Sequence, residues 1–135
     1  MKKHLFLLAG LCAALHIYGQ KIQKLQSPDG NIQVSISLSD KISYDIICGN
    51  DTLLKQCNLQ IEVGNQQLGN RPKLIKTSSK NVEESLTPVI PLKYSTITNK
   101  YNQLLLKFKG DYSIEFRAFN DGVAYRFITD KKGII

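Results

Sequence analysis

The sequence predicts an all-β protein, an antiparallel β-sandwich, and three observations carry that reading. Residues Asn31 to Leu38 alternate apolar and polar side chains without a fault, which is the period of a half-buried strand. Clusters of Gly, Pro, Asn and Asp recur between such runs, where hairpins need their turns. No stretch repeats its apolar residues at the 3.6 spacing of an amphipathic helix, and internal repeats and low-complexity tracts are absent. At 135 residues the chain holds one domain at most.

From the N-terminus, residues 1–19 have the layout of a secretory signal peptide. Lys2, Lys3 and His4 form a basic start, and Leu5 to Ile17 is apolar apart from His16. Tyr18-Gly19-Gln20 then offers a cleavage point after Gly19. The apolar run is shorter than the roughly 20 residues a membrane-spanning helix needs, so no membrane contact is expected after cleavage. A buried N-terminal helix is the alternative. Cys12 follows Leu11 rather than a small residue, so it does not read as a lipid-attachment site. These features predict a periplasmic or secreted protein whose mature domain is residues 20–135.

Ser27-Pro28-Asp29-Gly30 is a turn that feeds the alternating strand Asn31–Leu38. Ile42 to Cys48 and Leu53 to Val63 continue as strands around Gly49-Asn50-Asp51, with Leu59, Ile61 and Val63 sharing a face. From Gly64 to Thr98 the periodicity fades, and a long surface loop or irregular excursion is expected. Within it, Gly64-Asn65 and Gly69-Asn70 suggest turns around a short strand. Alternation returns at Gln103 to Lys109, and Gly110-Asp111 turns into the strand Tyr112 to Phe119.

The last hairpin poses a charge problem. A two-residue Asp121-Gly122 turn would set Arg117 opposite Arg126, and like charges directly across a ladder repel. A three-residue Asn120-Asp121-Gly122 turn, with Gly122 left-handed at a bulge, offsets them. The alternative is an acid shared by both arginines. For Cys48 and Cys57, the Gly49-Asn50-Asp51 turn puts Thr52 opposite Cys48. Cys57 then lies roughly 16 Å further along at about 3.3 Å per residue. A disulfide tolerates about 7 Å between Cα atoms, so two free thiols are expected.

Composition excludes several chemistries. The formal charge of +7 falls to +5 without Lys2 and Lys3, and the other cations are scattered singly, unlike a nucleic-acid surface. Both histidines, His4 and His16, lie in the signal segment. The mature chain therefore has no Ser-His-Asp or Cys-His pair, and no CxxC motif to bind a metal. Glycoside hydrolysis needs two carboxyl groups about 5 to 9.5 Å apart. Glu62, Glu83, Glu84, Asp111 and Glu115 are candidates without a local motif, and each reads as a solvated surface acid. There is no tryptophan to stack on a sugar. Tyr94, Tyr101, Tyr112 and Tyr125 sit in or beside strands, where a core role is the better reading.

One ordered set of motifs is more specific. Ser27-Pro28-Asp29-Gly30-Asn31 opens it, Lys100-Tyr101-Asn102-Gln103-Leu104 follows, and Phe116-Arg117-Ala118-Phe119-Asn120-Asp121-Gly122-Val123-Ala124-Tyr125-Arg126-Phe127 closes it. The set resembles the N-terminal domain of glycoside hydrolase family 97, bacterial α-glucosidases and α-galactosidases several times longer than this chain. The family's Pro-Val-Trp-Gly element reads Pro88-Val89-Ile90-Pro91 here. The resemblance implies a galactose-mutarotase-like supersandwich, incomplete in this chain and followed in the family by a (β/α)8 barrel that carries the catalytic carboxylates. It also implies calcium in the full-length enzyme, but no cofactor, metal ligand or catalytic residue in this chain. The expected partner is the parent's barrel, with an α-glucan or α-galactoside as a further ligand. The chain itself is expected to be inactive and marginally stable, with Lys131 to Ile135 opening a new apolar stretch. An autonomous secreted carbohydrate-binding or structural sandwich is the alternative.

Overall fold

The computed structural model describes residues 21–87, 89–90 and 96–129. The expected signal segment, Tyr94 and Lys131 to Ile135 lie outside these residues. Among the described residues, ten strands follow one another without a helix. They are β1 (Lys21–Gln26), β2 (Ile32–Leu38), β3 (Ile42–Cys48), β4 (Asp51–Leu59), β5 (Ile61–Val63), β6 (Gln66–Leu68), β7 (Leu74–Leu86), β8 (Ile97–Phe108), β9 (Tyr112–Ala118) and β10 (Val123–Thr129). β1-β2-β3-β4 form one four-stranded sheet and β10-β9-β8-β7 the other, while β5 and β6 form a small hairpin. All pairings are antiparallel.

The core lies where the predicted alternation puts it. Val34 and Ile36 of β2 and Ile42 of β3 meet Leu106, Phe108, Ile114 and Phe116 of β8 and β9, all fully buried. Each strand gives every second residue to the space between the sheets, so β2 and β9 read clearly in the sequence. Burying each of these side chains contributes about 1.5–3 kcal/mol.

Two expectations fail, for physical reasons. The stretch expected to be a long loop contains β6 and the 13-residue β7, which pairs with β8 from Leu74↔Phe108 to Leu86↔Ile97. β7 is an edge strand exposed along most of both faces, so no core selects an alternating pattern. Hydrogen bonds to β8 hold it instead. The segment expected to run as one strand from Leu53 to Val63 breaks after Leu59. The break rotates Ile61 out of the predicted shared face, leaving it 39% exposed while Leu59 is buried. β4 also begins at Asp51, opposite Cys48, and Thr52 pairs with Ile47. A register shift after Tyr44 follows, where the Asp45 carboxylate accepts the N–H of Gln56 at 2.6 Å and Gln56 takes a φ of 52°. Cys48 and Cys57 are free thiols, in line with the spacing argument.

The β5–β6 hairpin returns to the first sheet at Gly69. Its carbonyl accepts the Ile42 N–H at 3.2 Å, and its φ is +93°. A Cβ there would strike the Leu59 carbonyl oxygen. Gly64, at φ +60°, faces open space. Gly69→Ala is therefore expected to destabilise by at least about 2 kcal/mol in urea unfolding, and Gly64→Ala by about 1 kcal/mol, because only the former adds a backbone clash to left-handed strain.

Candidate functional site

The first and last motifs, 91 residues apart, meet at one end of the sandwich. In the Ser27–Asn31 turn, the Ser27 hydroxyl donates to Asp29 Oδ1 and accepts the Ile32 N–H at 2.9 Å. Asp29 Oδ1 also accepts the Asn31 N–H at 3.0 Å. The Asp29 N–H then donates to Asn120 Oδ1 in the β9–β10 turn at 3.1 Å. Asn31 reaches a third turn, where its carbonyl accepts the Gly49 N–H at 2.9 Å. The Ser27 hydroxyl, followed by the Asn31 amide, holds the Asp29 carboxyl below its ordinary 3.8. The middle motif joins the same end of the fold, since Asn102 Nδ2 donates to the Gln26 carbonyl at 2.9 Å. Adjacent turns thus use these Asn and Asp side chains as backbone partners.

The closing hairpin resolves its arginine problem through the alternative reading, a shared acid. The ladder pairs Ala118 with Val123, and the Phe119 N–H donates to the Gly122 carbonyl at 2.8 Å. The connection is one residue longer than the favoured three-residue turn, and Gly122 is not left-handed. This register sets Arg126 opposite Glu115 rather than Arg117. Glu115 Oε1 accepts Arg117 Nε at 2.7 Å, and Oε2 accepts Arg126 Nη2 at 3.1 Å. The reading of Glu115 as a solvated acid is thereby corrected. It is 5% exposed, on the face of β9 opposite Ile114 and Phe116, beneath two guanidinium groups.

Arg117 also lies over the Tyr101 ring at 4.8 Å, and Tyr101 packs on Phe119 at 5.0 Å between ring centres. Sequence reasoning missed Glu115 because period-2 logic places it outward. Its i, i+2 spacing from Arg117 and the charge conflict at Arg126 were the available signals.

The other candidates are dispersed. Glu83 lies on β7, not in a loop, and pairs with Lys100 at 3.1 Å on exposed surface. Glu62 and Glu84 are exposed, and Asp111 sits at the turn before β9 with a φ of 58°. Tyr101 and Tyr112 are buried, as expected. Burial pushes the Tyr112 hydroxyl pKa up, partly opposed by a hydrogen bond with the Gly69 backbone. Tyr125 departs from the core reading at 46% exposure, although its ring touches Tyr44 and Phe116. Among the described residues no three His, Cys, Asp or Glu side chains gather to hold a metal ion. Val89 and Ile90, in the segment that departs from the family pattern, are highly exposed.

Removing the shared acid should matter more than removing one outer cation. Glu115→Ala is expected to cost about 2–3 kcal/mol in urea unfolding, because two guanidinium groups lose a buried partner. Arg126→Ala should cost less than about 1 kcal/mol, as its own side chain is 60% exposed and Glu115 keeps Arg117 as a partner. The depressed Asp29 pKa adds stability that is complete above 3.8 and fades as pH falls through the lower folded-state value. The gap in Tm between the parent chain and Asp29→Ala should accordingly narrow below pH 3.8.

A family model described as Glycosyl-hydrolase 97 N-terminal matches residues 25–135. A retaining alpha-galactosidase of Bacteroides thetaiotaomicron is 40% identical over 133 residues, a match that covers 98% of this chain and 20% of that protein. A glycoside hydrolase family 97 enzyme from Pseudoalteromonas sp., solved in complex with panose, superposes with a TM-score of 0.72 at 27% identity, covering 82% of this chain and 18% of that one. A beta-arabinopyranosidase structure shares the fold at a TM-score of 0.73 and 19% identity, over the same shares of each chain. The chain thus spans about one fifth of the length of these relatives. With its motif turns interlocked and the match running through the closing hairpin, the chain belongs to glycoside hydrolase family 97, as the N-terminal β-sandwich domain.

Proposed function

We propose that this domain is a non-catalytic part of a family 97 α-glycosidase, and that it supports and shapes the active site of a catalytic barrel carried by the parent enzyme. The match to the N-terminal model over residues 25–135, against a relative five times longer, carries this reading. The state of the acids supports it. Glu115 bonds two arginines, Asp29 is held in a turn and Glu83 pairs with Lys100, so these three are engaged in local contacts. A general acid or a nucleophile needs a carboxyl group aimed at a substrate. Export to the periplasm, or secretion, with cleavage after Gly19 belongs to the same proposal, as does calcium bound elsewhere in the parent.

A second reading, carbohydrate binding by the isolated domain, draws on the exposed Tyr125 ring. Beside Tyr125 lies a cleft of about 120 Å³ lined by Glu115, Arg117, Ala124 and Arg126, a set of polar groups that could orient a small ligand.

The purified chain, incubated with nitrophenyl α-galactoside and then nitrophenyl α-glucoside, is expected to release no nitrophenol. Turnover that co-purifies with the chain and disappears in Glu115→Gln would overturn the non-catalytic reading. Saturable binding of an α-galactoside that is lost in Tyr125→Ala would favour the second one.

A further inference from the structure

β2 runs from the motif turns to the opposite end of the sandwich, and there the fold gathers cations that the sequence scatters. Arg71 and Lys73 lie in the β6–β7 connection and Lys109 in the β8–β9 turn. Together they line a cleft of about 360 Å³. Gln66, Gln67 and Asn70 share its wall. Asp40, Glu62 and Asp111 lie on neighbouring segments, yet none of them lines the cleft. Among the described residues none of them pairs with its cations either.

The backbone beneath these side chains is pinned. The Arg71 N–H donates to the Asp40 carbonyl at 2.7 Å, and the Lys109 N–H to the Lys73 carbonyl at 2.9 Å. Tyr112, buried at the cleft, stacks on Phe108 with ring centres 5.0 Å apart. The Lys109–Lys73 bond sets two lysines side by side, and just inside it Lys76 faces Lys107 directly across the β7–β8 ladder. Like charges so placed repel. At its other end the same ladder sets Glu83 against Lys100, and these two pair at 3.1 Å. Arg71 adds left-handed strain, with a φ of 44° at a residue that is not glycine. An anion in the cleft would offset the repulsion that this arrangement builds in.

We propose that the cleft binds an oxyanion group, a sulfate ester or a uronate carboxylate, carried on an oligosaccharide. The choice of a saccharide rests on the reading of this chain as a non-catalytic domain of a glycosidase. Arginine and lysine hold oxyanions through charge-assisted hydrogen bonds. Glutamine and asparagine amides both donate and accept, as sugar hydroxyls require. Nucleic acid fits less well, because single strands bind by stacking bases on exposed rings. Tyr112, the aromatic residue that lines the cleft, is buried.

The probes are a sulfated galactan oligosaccharide, an oligogalacturonate and a neutral galactan oligosaccharide of equal length, each titrated into the purified chain. At least one anionic probe is expected to bind saturably and the neutral one not at all; the tighter anionic probe identifies the group. Lys73→Gln combined with Lys109→Gln should weaken binding about tenfold or more. Its Tm should be no lower than the parent's, because a repulsion has been removed. Lys24→Gln combined with Lys55→Gln removes the same charge from exposed positions on β1 and β4 and should leave binding unchanged. No saturable binding of either anionic probe, equal loss in the two double variants, or a lowered Tm in the first would each overturn the proposal. So would tighter binding of a DNA oligonucleotide of matched charge, or loss of binding in Tyr125→Ala, which would put the sugar in the other cleft. Nitrophenyl glycoside turnover is read separately. Turnover with anion binding intact sinks the non-catalytic reading alone, and absent binding without turnover sinks this proposal alone.

Discussion

Apolar packing between the two sheets, centred on Phe116, is the constraint on which the rest of the molecule depends. Phe116 is fully buried, and its ring lies 6.0 Å from Tyr44 on the facing sheet and 5.8 Å from Tyr125 beside it. Because β9 must present Phe116, Ile114 and Ala118 inward, its odd residues point outward. That places Glu115 and Arg117 together on the other face, where β10 completes the cluster with Arg126. The ion cluster is therefore a consequence of core register. The register is in turn reinforced by charge, since a slip of two positions would restore the arginine opposition.

The motif turns work at a second level. Packing fixes the sheets face to face but leaves their connections free, and the hydrogen bonds around Asp29, Asn31 and Asn120 tie three turns into one end of the sandwich. These residues belong to the motifs whose sequence resembles family 97, so that resemblance has a mechanical meaning here. They join the first strand to the last hairpin.

Legibility in the sequence followed burial. β2 and β9 face a core on one side and solvent on the other, so their alternation was plain. β7 has no covering layer over most of its length, and its 13 residues read as loop. Ile61 misled in the opposite direction, because an apolar residue in phase with Leu59 sits beyond a break that resets the phase. Of the ion cluster, the conflict between Arg117 and Arg126 was visible, but its solution depended on hairpin register, which turn composition alone left between several lengths.

By itself, then, the sequence determined the all-β class, the strands that line the core, the free state of Cys48 and Cys57 and the family, because each follows from local periodicity, spacing or an ordered motif. Tertiary structure decided what depends on which strands become neighbours. It converted Glu115 from a surface acid into a shared buried counter-ion, made a polar stretch into the edge strand β7, and put β4 and β10 at the ends of the two sheets among the described residues. The physical reason is common to all three. Side-chain periodicity records whether one face of a strand is buried, but pairing partners and the closure of a sheet edge are set by contacts between residues far apart in the chain.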